Sequence, residues 1–377
     1  MEFRNLKAQY HHLKAQIDSS IEEVIEESAF ISGKAVHDLE QQLADYVGVR
    51  HCITCGNGTD ALSLVLRAWG IGPGDAVFVP DFTFFASAET PRDRGATPIF
   101  VDVLDGTFNM DPASLERCIQ AVTSEGKLIP RAIISVDLFG APADYACIEP
   151  IARKYGLKIL EDGAQGFGGM QNGQKCCSFG DAATTSFFPA KPLGCYGDGG
   201  AIFTNDSELA ALVRSLAVHG KGTDKYDNVR IGVNSRLDTL QAAILKAKLD
   251  AFIRFELDAV NQAAAYYTLR LGGIVETPVI PEGMLSSWAQ YTIRLADEEE
   301  RNRVMNALHA QGIPTMIYYR TCMSQQHAFE DVAEAQPIIC ECARALSQRV
   351  LSLPISPYIT TEEMDSVIAA ICMELGR

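Results

Sequence analysis

An α/β architecture, with a mostly parallel sheet in a large unit and a smaller α+β unit after it, is what this 377-residue sequence predicts. Three observations carry the expectation. Between about residues 50 and 205, short β-rich runs alternate with amphipathic stretches of helical period, the pattern of repeated βαβ units. From Leu237 to about Leu271 the chain reads as a helical connector with few breakers. After it the alternation restarts on shorter elements. The expected division is residues 1–250, a large unit with an N-terminal helical arm, and residues 251–377, a small C-terminal unit.

Each element follows from its local pattern. His51–Thr54, Ala76–Pro80, Pro98–Val103, Ala132–Phe139 and Lys158–Glu161 read as strands, short apolar runs bounded by turn-forming residues. Asp60–Trp69, Ala86–Arg94, Pro112–Ala121 and Tyr145–Tyr155 fit helices, with Asp111-Pro112 and Asp144 as start signals. Ala183–Phe188 and Ala201–Thr204 are two further strands. In the second unit the pattern predicts strand Trp288–Leu295, helix Glu298–Ala310, strand Pro314–Tyr319, helix Gln336–Leu346 and helix Thr361–Leu375. The segment Gly272–Ser287, broken by Pro278 and Pro281, is a loop.

Composition narrows the function. A formal charge of −16 disfavours nucleic-acid and anionic-membrane binding, because phosphate surfaces need a basic face. No apolar run is long enough to span a bilayer, and no apolar segment follows the charged N-terminus, so a cytoplasmic protein is expected. Eleven scattered cysteines, an odd number, do not form a complete disulfide framework and fit a reducing compartment. Cys52 and Cys55 form a C-x-x-C, and Cys176 and Cys177 a vicinal pair, but no further ligands complete a zinc site; no metal is expected.

Chemistry concentrates at four places. Lys191 is embedded in Ser186-Phe187-Phe188-Pro189-Ala190-Lys191-Pro192-Leu193-Gly194, an apolar, turn-forming setting. Burial lowers a lysine pKa, which is what a Schiff-base lysine needs; the alternative is a surface lysine in a turn. Asp162 ends a strand, where open α/β sheets bind ligands, and could pair with a protonated pyridine nitrogen or merely cap a turn. Such a pair about 3 Å apart is worth roughly 5 kcal/mol at an effective dielectric of about 20. Gln165, three residues on, could donate to a ring hydroxylate. Gly56-Asn57-Gly58-Thr59-Asp60 lies between a strand and a helix start, where free N–H groups favour a phosphate, with Gly58 and Thr59 foremost and Ser186 adding a hydroxyl. Alone, that G-x-G is weak evidence. Phe84 follows another strand end and either stacks on a planar ring or packs in the core.

The runs N-G-T-D-A-L (Asn57–Leu62), E-D-G-A-Q (Glu161–Gln165), S-F-F-P-A-K-P-L-G-C-Y-G-D-G-G (Ser186–Gly200) and G-V-N-S-R-L-D-T-L-Q-A-A (Gly232–Ala243) closely resemble the DegT/DnrJ/EryC1/StrS family of sugar aminotransferases. The wording is most similar to members acting on UDP-linked 3-keto sugars of the N-acetylglucosamine series, including the 3-keto uronic acid. The resemblance implies a fold-type-I enzyme dependent on pyridoxal 5′-phosphate (PLP), a homodimer with shared active sites, glutamate as amino donor and a nucleotide-linked keto sugar as acceptor. It implies that Lys191 carries the cofactor, Asp162 meets its ring nitrogen, Gln165 its ring oxygen, and Ser186, Gly58 and Thr59 its phosphate. Asn234 would reach that phosphate from the partner subunit.

One departure bears on the substrate. Many members carry His-Tyr near the position of Tyr318-Tyr319-Arg320; here the first residue is tyrosine. Tyr318, Tyr319, Arg320 and Arg230 are the expected substrate contacts, and Lys175 and Lys221 are further cations in loops near the expected site. A dTDP- or GDP-linked keto sugar is the alternative acceptor, and a non-catalytic PLP- or sugar-binding regulator the alternative class.

Overall fold

The computed structural model describes residues 1–224, 226–333 and 336–376. In chain order, helices α1 (Leu6–Glu27) and α2 (Lys34–Val47) form an N-terminal arm, and both pack on a later helix, α8 (Thr239–Ala251). Asn5 starts α1 by accepting a hydrogen bond from the Ala8 N–H at 3.0 Å. Then follow β1 (His51–Cys55), α3 (Gly58–Ala68), β2 (Asp75–Pro80), α4 (Phe85–Asp93), β3 (Thr97–Val101), α5 (Pro112–Glu125), β4 (Ile129–Val136), α6 (Tyr145–Tyr155) and β5 (Lys158–Asp162). The short strands β6 (Met170–Gln171) and β7 (Gln174–Lys175) precede β8 (Ala182–Ser186), β9 (Gly200–Thr204) and α7 (Ser207–Leu216).

Seven strands form one sheet in the order β1-β9-β8-β5-β4-β2-β3, all parallel except β9, which runs antiparallel to both its neighbours. The mostly parallel α/β expectation stands. Alternation along β2 shows how the sheet is buried on both faces. Val77 and Val79 pack with residues of α3 and α4, whereas Ala76 and Phe78 pack with residues of α5 and α6. Each fully buried side chain such as Phe78 contributes roughly 1.5–3 kcal/mol. The carboxyl ends of β1, β2, β4, β5 and β8 all reach one edge, and the loops that follow them carry the chemistry-bearing residues.

The connector is α8, a π-turn at Phe252–Glu256 and α9 (Leu257–Leu271). Beyond it lie β10 (Met284–Leu285), β11 (Tyr291–Arg294), α10 (Glu298–Ala310), α11 (Glu330–Ala333), α12 (Glu341–Arg349), β12 (Val350–Leu353) and α13 (Thr361–Leu375). β11 and β12 pair antiparallel, and α9, α10 and α13 close a second core over them.

Two expectations in this region need correction. Pro314–Tyr319 is not a strand: only Met316 pairs, with Ser352, and Tyr318 and Tyr319 leave the pairing to face the large unit. The helix expected at Gln336–Leu346 starts at Glu341, because the Gln336 side chain is taken up by backbone of the large unit, accepting from Phe100 N–H and donating to the Pro98 carbonyl. Glu334 and Ala335 lie outside the described residues. At the sheet edge, the strand expected to run to Phe139 ends at Val136, and Leu138–Gly140 form a 3-10 turn.

Candidate active site

A cavity of about 830 Å³ opens at the carboxyl edge of the sheet. Lys191, Asp162, Gln165, Ser186, Gly58, Thr59, Phe84, Tyr318 and Tyr319 all line it. Residues separated by up to 261 positions in sequence meet because their strands end at the same edge.

Asp162 is the last residue of β5 and is 5% exposed. Its Oδ2 accepts a hydrogen bond from the Ser87 hydroxyl at 2.7 Å, and its Oδ1 one from the Ala164 N–H at 3.3 Å. Burial raises its pKa, while Ser87 and the nearby Lys191 oppose the rise. Ser87 sits in the first turn of α4, and nothing in its sequence context marks it. Gln165 is fixed at both ends of its amide: Oε1 accepts from the Phe139 N–H at 2.7 Å, and Nε2 donates to the Tyr319 hydroxyl at 3.1 Å. The amide nitrogen thus faces the cavity wall as a donor.

Lys191 keeps some surface toward the cavity, but its amine is enclosed by protein and has no hydrogen-bond partner among the described residues. Burial pulls its pKa down to about 8; the Asp162 carboxylate pushes the other way, and the Arg4 guanidinium adds to the fall. Arg4 arrives from the N-terminal arm, donating to the Ala289 carbonyl at 3.2 Å beside the cavity residue Gln290, and no sequence signal connected it to the site. Selective labelling of Lys191 in the apo chain by an amine-directed reagent should therefore rise with a midpoint near pH 8. A midpoint at the ordinary lysine value of about 10.4 would show that the amine is not desolvated.

The start of α3 supplies an anion cradle. Asn57 caps the helix, accepting from the Asp60 N–H at 2.8 Å, while the Gly58 and Thr59 N–H groups have no acceptor among the described residues and border the cavity. A Cβ on Gly58 would lie 2.8 Å from the Ser186 Cβ, so only glycine lets β8 approach this closely. Free N–H groups, a helix dipole and the Ser186 hydroxyl converge on one spot, the donor set that a phosphate requires. With the carboxylate of Asp162, the amine of Lys191 and the exposed ring of Phe84, which is 53% exposed and so not a core residue, the residues present fit PLP.

Other expected contacts lie elsewhere in the single chain. Asn234 is exposed and pairs with Val218, and Arg230 donates to the Ser215 hydroxyl at 2.5 Å in a surface groove that Lys221 also lines. Neither lines the Lys191 cavity in the single chain, although the residue after Asn234, Ser235, accepts from the Gly56 N–H at 2.9 Å and donates to Asp60 at 2.6 Å beside the cradle. Arg320 is exposed and outside the cavity lining, since the chain turns away after Tyr319. Lys175 is spent elsewhere, donating to the Tyr46 carbonyl at 2.6 Å with its amine over the Tyr46 ring.

Comparison with known proteins agrees with this geometry. The model of the DegT/DnrJ/EryC1/StrS aminotransferase family matches residues 11–372. The chain is 44% identical to a UDP-2-acetamido-2-deoxy-3-oxo-D-glucuronate aminotransferase of Pseudomonas aeruginosa, over 98% of this chain and 99% of that one. It is 40% identical to a UDP-N-acetyl-3-dehydro-alpha-D-glucosamine 3-aminotransferase of Acidithiobacillus ferrooxidans, over 97% and 96%. A family aminotransferase from Brucella abortus superposes with a TM-score of 0.97 at 45% identity over the whole of both chains. NtdA from Bacillus subtilis, solved with bound cofactor PMP, superposes with a TM-score of 0.87 at 28% identity, over 97% of this chain and 82% of that one. The chain belongs to the DegT/DnrJ/EryC1/StrS family and is a PLP-dependent aminotransferase.

Proposed function

We propose that this enzyme moves an amino group from glutamate to a UDP-linked 3-keto sugar of the N-acetylglucosamine series, the neutral sugar or its C6 uronic acid. The product would serve surface-polysaccharide or lipopolysaccharide synthesis in the cytoplasm. The observation that carries the chemistry is the meeting, in one cavity, of a desolvated Lys191, a buried Asp162 and the α3 phosphate cradle. The substrate reading rests on the two UDP-sugar aminotransferases that match almost the whole chain.

Bound PLP supplies an electron sink that makes the carbon–hydrogen bond next to the amine acidic. The residues of this chain do the rest. Gly58, Thr59 and Ser186 would hold the phosphate; Asp162 would meet the ring nitrogen and favour its protonated form; Gln165, its amide locked by Phe139 and Tyr319, would donate to the ring oxygen. Lys191 attaches the cofactor between turnovers. Its amine, neutral in a useful fraction near pH 7–8, then takes and returns the proton at the reacting carbon. Phe84 and Tyr318 offer ring faces at the mouth.

In this reading the enzyme works as a homodimer, with Asn234 and Arg230 serving the partner's cavity. What supports it is the exposure of Val229 at 52% and Ile231 at 86% around Arg230, apolar surface that a second copy would cover. The cofactor-binding unit is residues 1–250 and the smaller unit residues 251–377; Cys322, Met323, Phe329 and Leu346 from the latter also pack into the core under α3 and α4.

A side-by-side assay of UDP-, dTDP- and GDP-keto sugars, each generated in place, tests the substrate. The UDP-3-keto sugars should show kcat/KM at least about tenfold higher, equivalent to about 1.4 kcal/mol of differential transition-state binding. A higher kcat/KM on a dTDP- or GDP-linked 4-keto sugar overturns the sugar while leaving the aminotransferase chemistry standing.

A further inference from the structure

Asp162 and Glu161 are neighbours on β5, so their side chains leave the sheet on opposite faces. Asp162 meets the cavity, and Glu161 points to the α5–α6 side, where it is fully buried. Facing it there is Asp137, also fully buried, one residue past the end of β4. One carboxyl oxygen from each acid and the Cys176 sulfur lie within 4.8 Å of one another. Neither acid forms a salt bridge among the described residues. The titratable groups packed around them are Tyr145 from α6 and Cys176 and Cys177 from the loop before β8.

Most acceptor positions are assigned. Asp137 Oδ1 accepts from the Tyr145 hydroxyl at 2.9 Å and the Ala143 N–H at 3.0 Å. Glu161 accepts from the Cys177 N–H through Oε1 and from the Phe179 N–H at 2.7 Å through Oε2. Asp137 Oδ2 alone has no partner, although it is sealed from solvent. A Cβ placed on Gly166 would come within 2.4 Å of that oxygen, so the backbone of the turn that follows Gln165 presses against it. Two bare carboxylates in such a place would repel with no cation to offset them, and a buried acceptor would go unmet. One proton removes both problems. Burial and the facing acid do raise the pKa of Glu161 well above the ordinary carboxyl range.

We propose that Asp137 and Glu161 share a single proton, and that this hydrogen-bonded carboxyl pair is a positioning device for the cofactor-binding residues on the other face of the sheet. The route is short. The Asp137 N–H donates to the Asp162 carbonyl at 3.1 Å, and its carboxyl pins Ala143 and Tyr145. The turn between them presents the Phe139 N–H to Gln165 Oε1. Glu161 meanwhile fastens the Cys177–Phe179 loop beneath β5. The pair thus ties together the strand end that carries Asp162 and the turn that aims Gln165.

The proton itself is the first thing to measure, on the holoenzyme in D2O near neutral pH by infrared spectroscopy. The carbonyl stretch of a protonated carboxyl group should be present in the wild type and diminished by one equivalent in both Asp137→Asn and Glu161→Gln. In Asp137→Asn the amide nitrogen takes the place of the unpartnered Oδ2 and supplies the donor, so no shared proton is needed; in Glu161→Gln one of the two acids that share it is gone. Absence of the band from the wild type, or no change in either variant, overturns the proposal. So does a stoichiometric divalent ion in the purified wild type that Asp137→Asn lacks, since the cluster would then be a metal site. Kinetics read the positioning. Asp137→Ala should lower kcat by about tenfold or more, the cost of an uncompensated buried charge, while Asp137→Asn restores it to within about threefold. Equal losses in Ala and Asn, or none in Ala, would exclude the positioning role. The infrared result is independent of which sugar is used, so the two readings fail separately.

Discussion

Lys191→Ala should abolish amino transfer, by roughly 10³-fold or more, while the chain still folds and still binds PLP. Two losses combine in this one change. In the proposed reading the side chain provides the covalent attachment of the cofactor and the base that moves the proton at the reacting carbon, and among the described residues no other amine lines the cavity. The fold does not depend on it: the lysine amine makes no hydrogen bond among the described residues, and its burial opposes its charge. Non-covalent binding survives because the phosphate cradle, Asp162 and Gln165 are independent of it. Borohydride treatment should fix the cofactor to the wild-type chain and leave the variant unlabelled. Arginine should be no better than alanine, since it neither attaches the cofactor nor readily yields a proton. Turnover by Lys191→Ala at the wild-type rate would sink the assignment.

Much of this site was readable in the sequence, for a definite reason. Asp162, Ser186 and the Gly58-Thr59 pair follow strand ends whose apolar pattern is strong, and strand ends of a parallel sheet share one edge. Lys191 stood out because an ammonium among Phe, Pro and Leu is costly unless it has a use. What stayed hidden depends on contacts between distant segments. Ser87 is an ordinary serine in a helix until α4 packs against β5; Arg4 gains a role only when the arm folds along Ala289. The second unit was less legible because its strands are only two to four residues long and its chain is captured by the first unit: Gln336 bonds the backbone of β3 instead of entering a helix. Asn234 was placed by resemblance and Arg230 as a loop cation expected near a diphosphate, and in the single chain neither lines the Lys191 cavity.

Asp162→Asn should leave PLP binding within about tenfold of wild type but lower kcat by about 10²–10⁴-fold. The amide keeps the shape of the side chain and can still meet Ser87 and the Ala164 N–H. What it loses is the negative charge. A carboxylate about 3 Å from a pyridinium stabilises it by roughly 5 kcal/mol at an effective dielectric of about 20, and that stabilisation holds the ring nitrogen protonated. Without it the electron sink is weakened at the moment charge develops, so the cost falls on the rate more than on affinity. The pH profile gives a second measure. Burial raises the Asp162 pKa and the Ser87 hydroxyl lowers it by favouring the charged form. Activity that needs the carboxylate is therefore present above that pKa and lost as pH falls through it. Ser87→Ala, which removes the opposing hydrogen bond, should move the acid limb of kcat upward in pH, and Asp162→Asn should have no such limb. If Asp162→Asn retains near-normal kcat and Ser87→Ala leaves the limb in place, Asp162 acts only as the acceptor that closes the turn at Ala164.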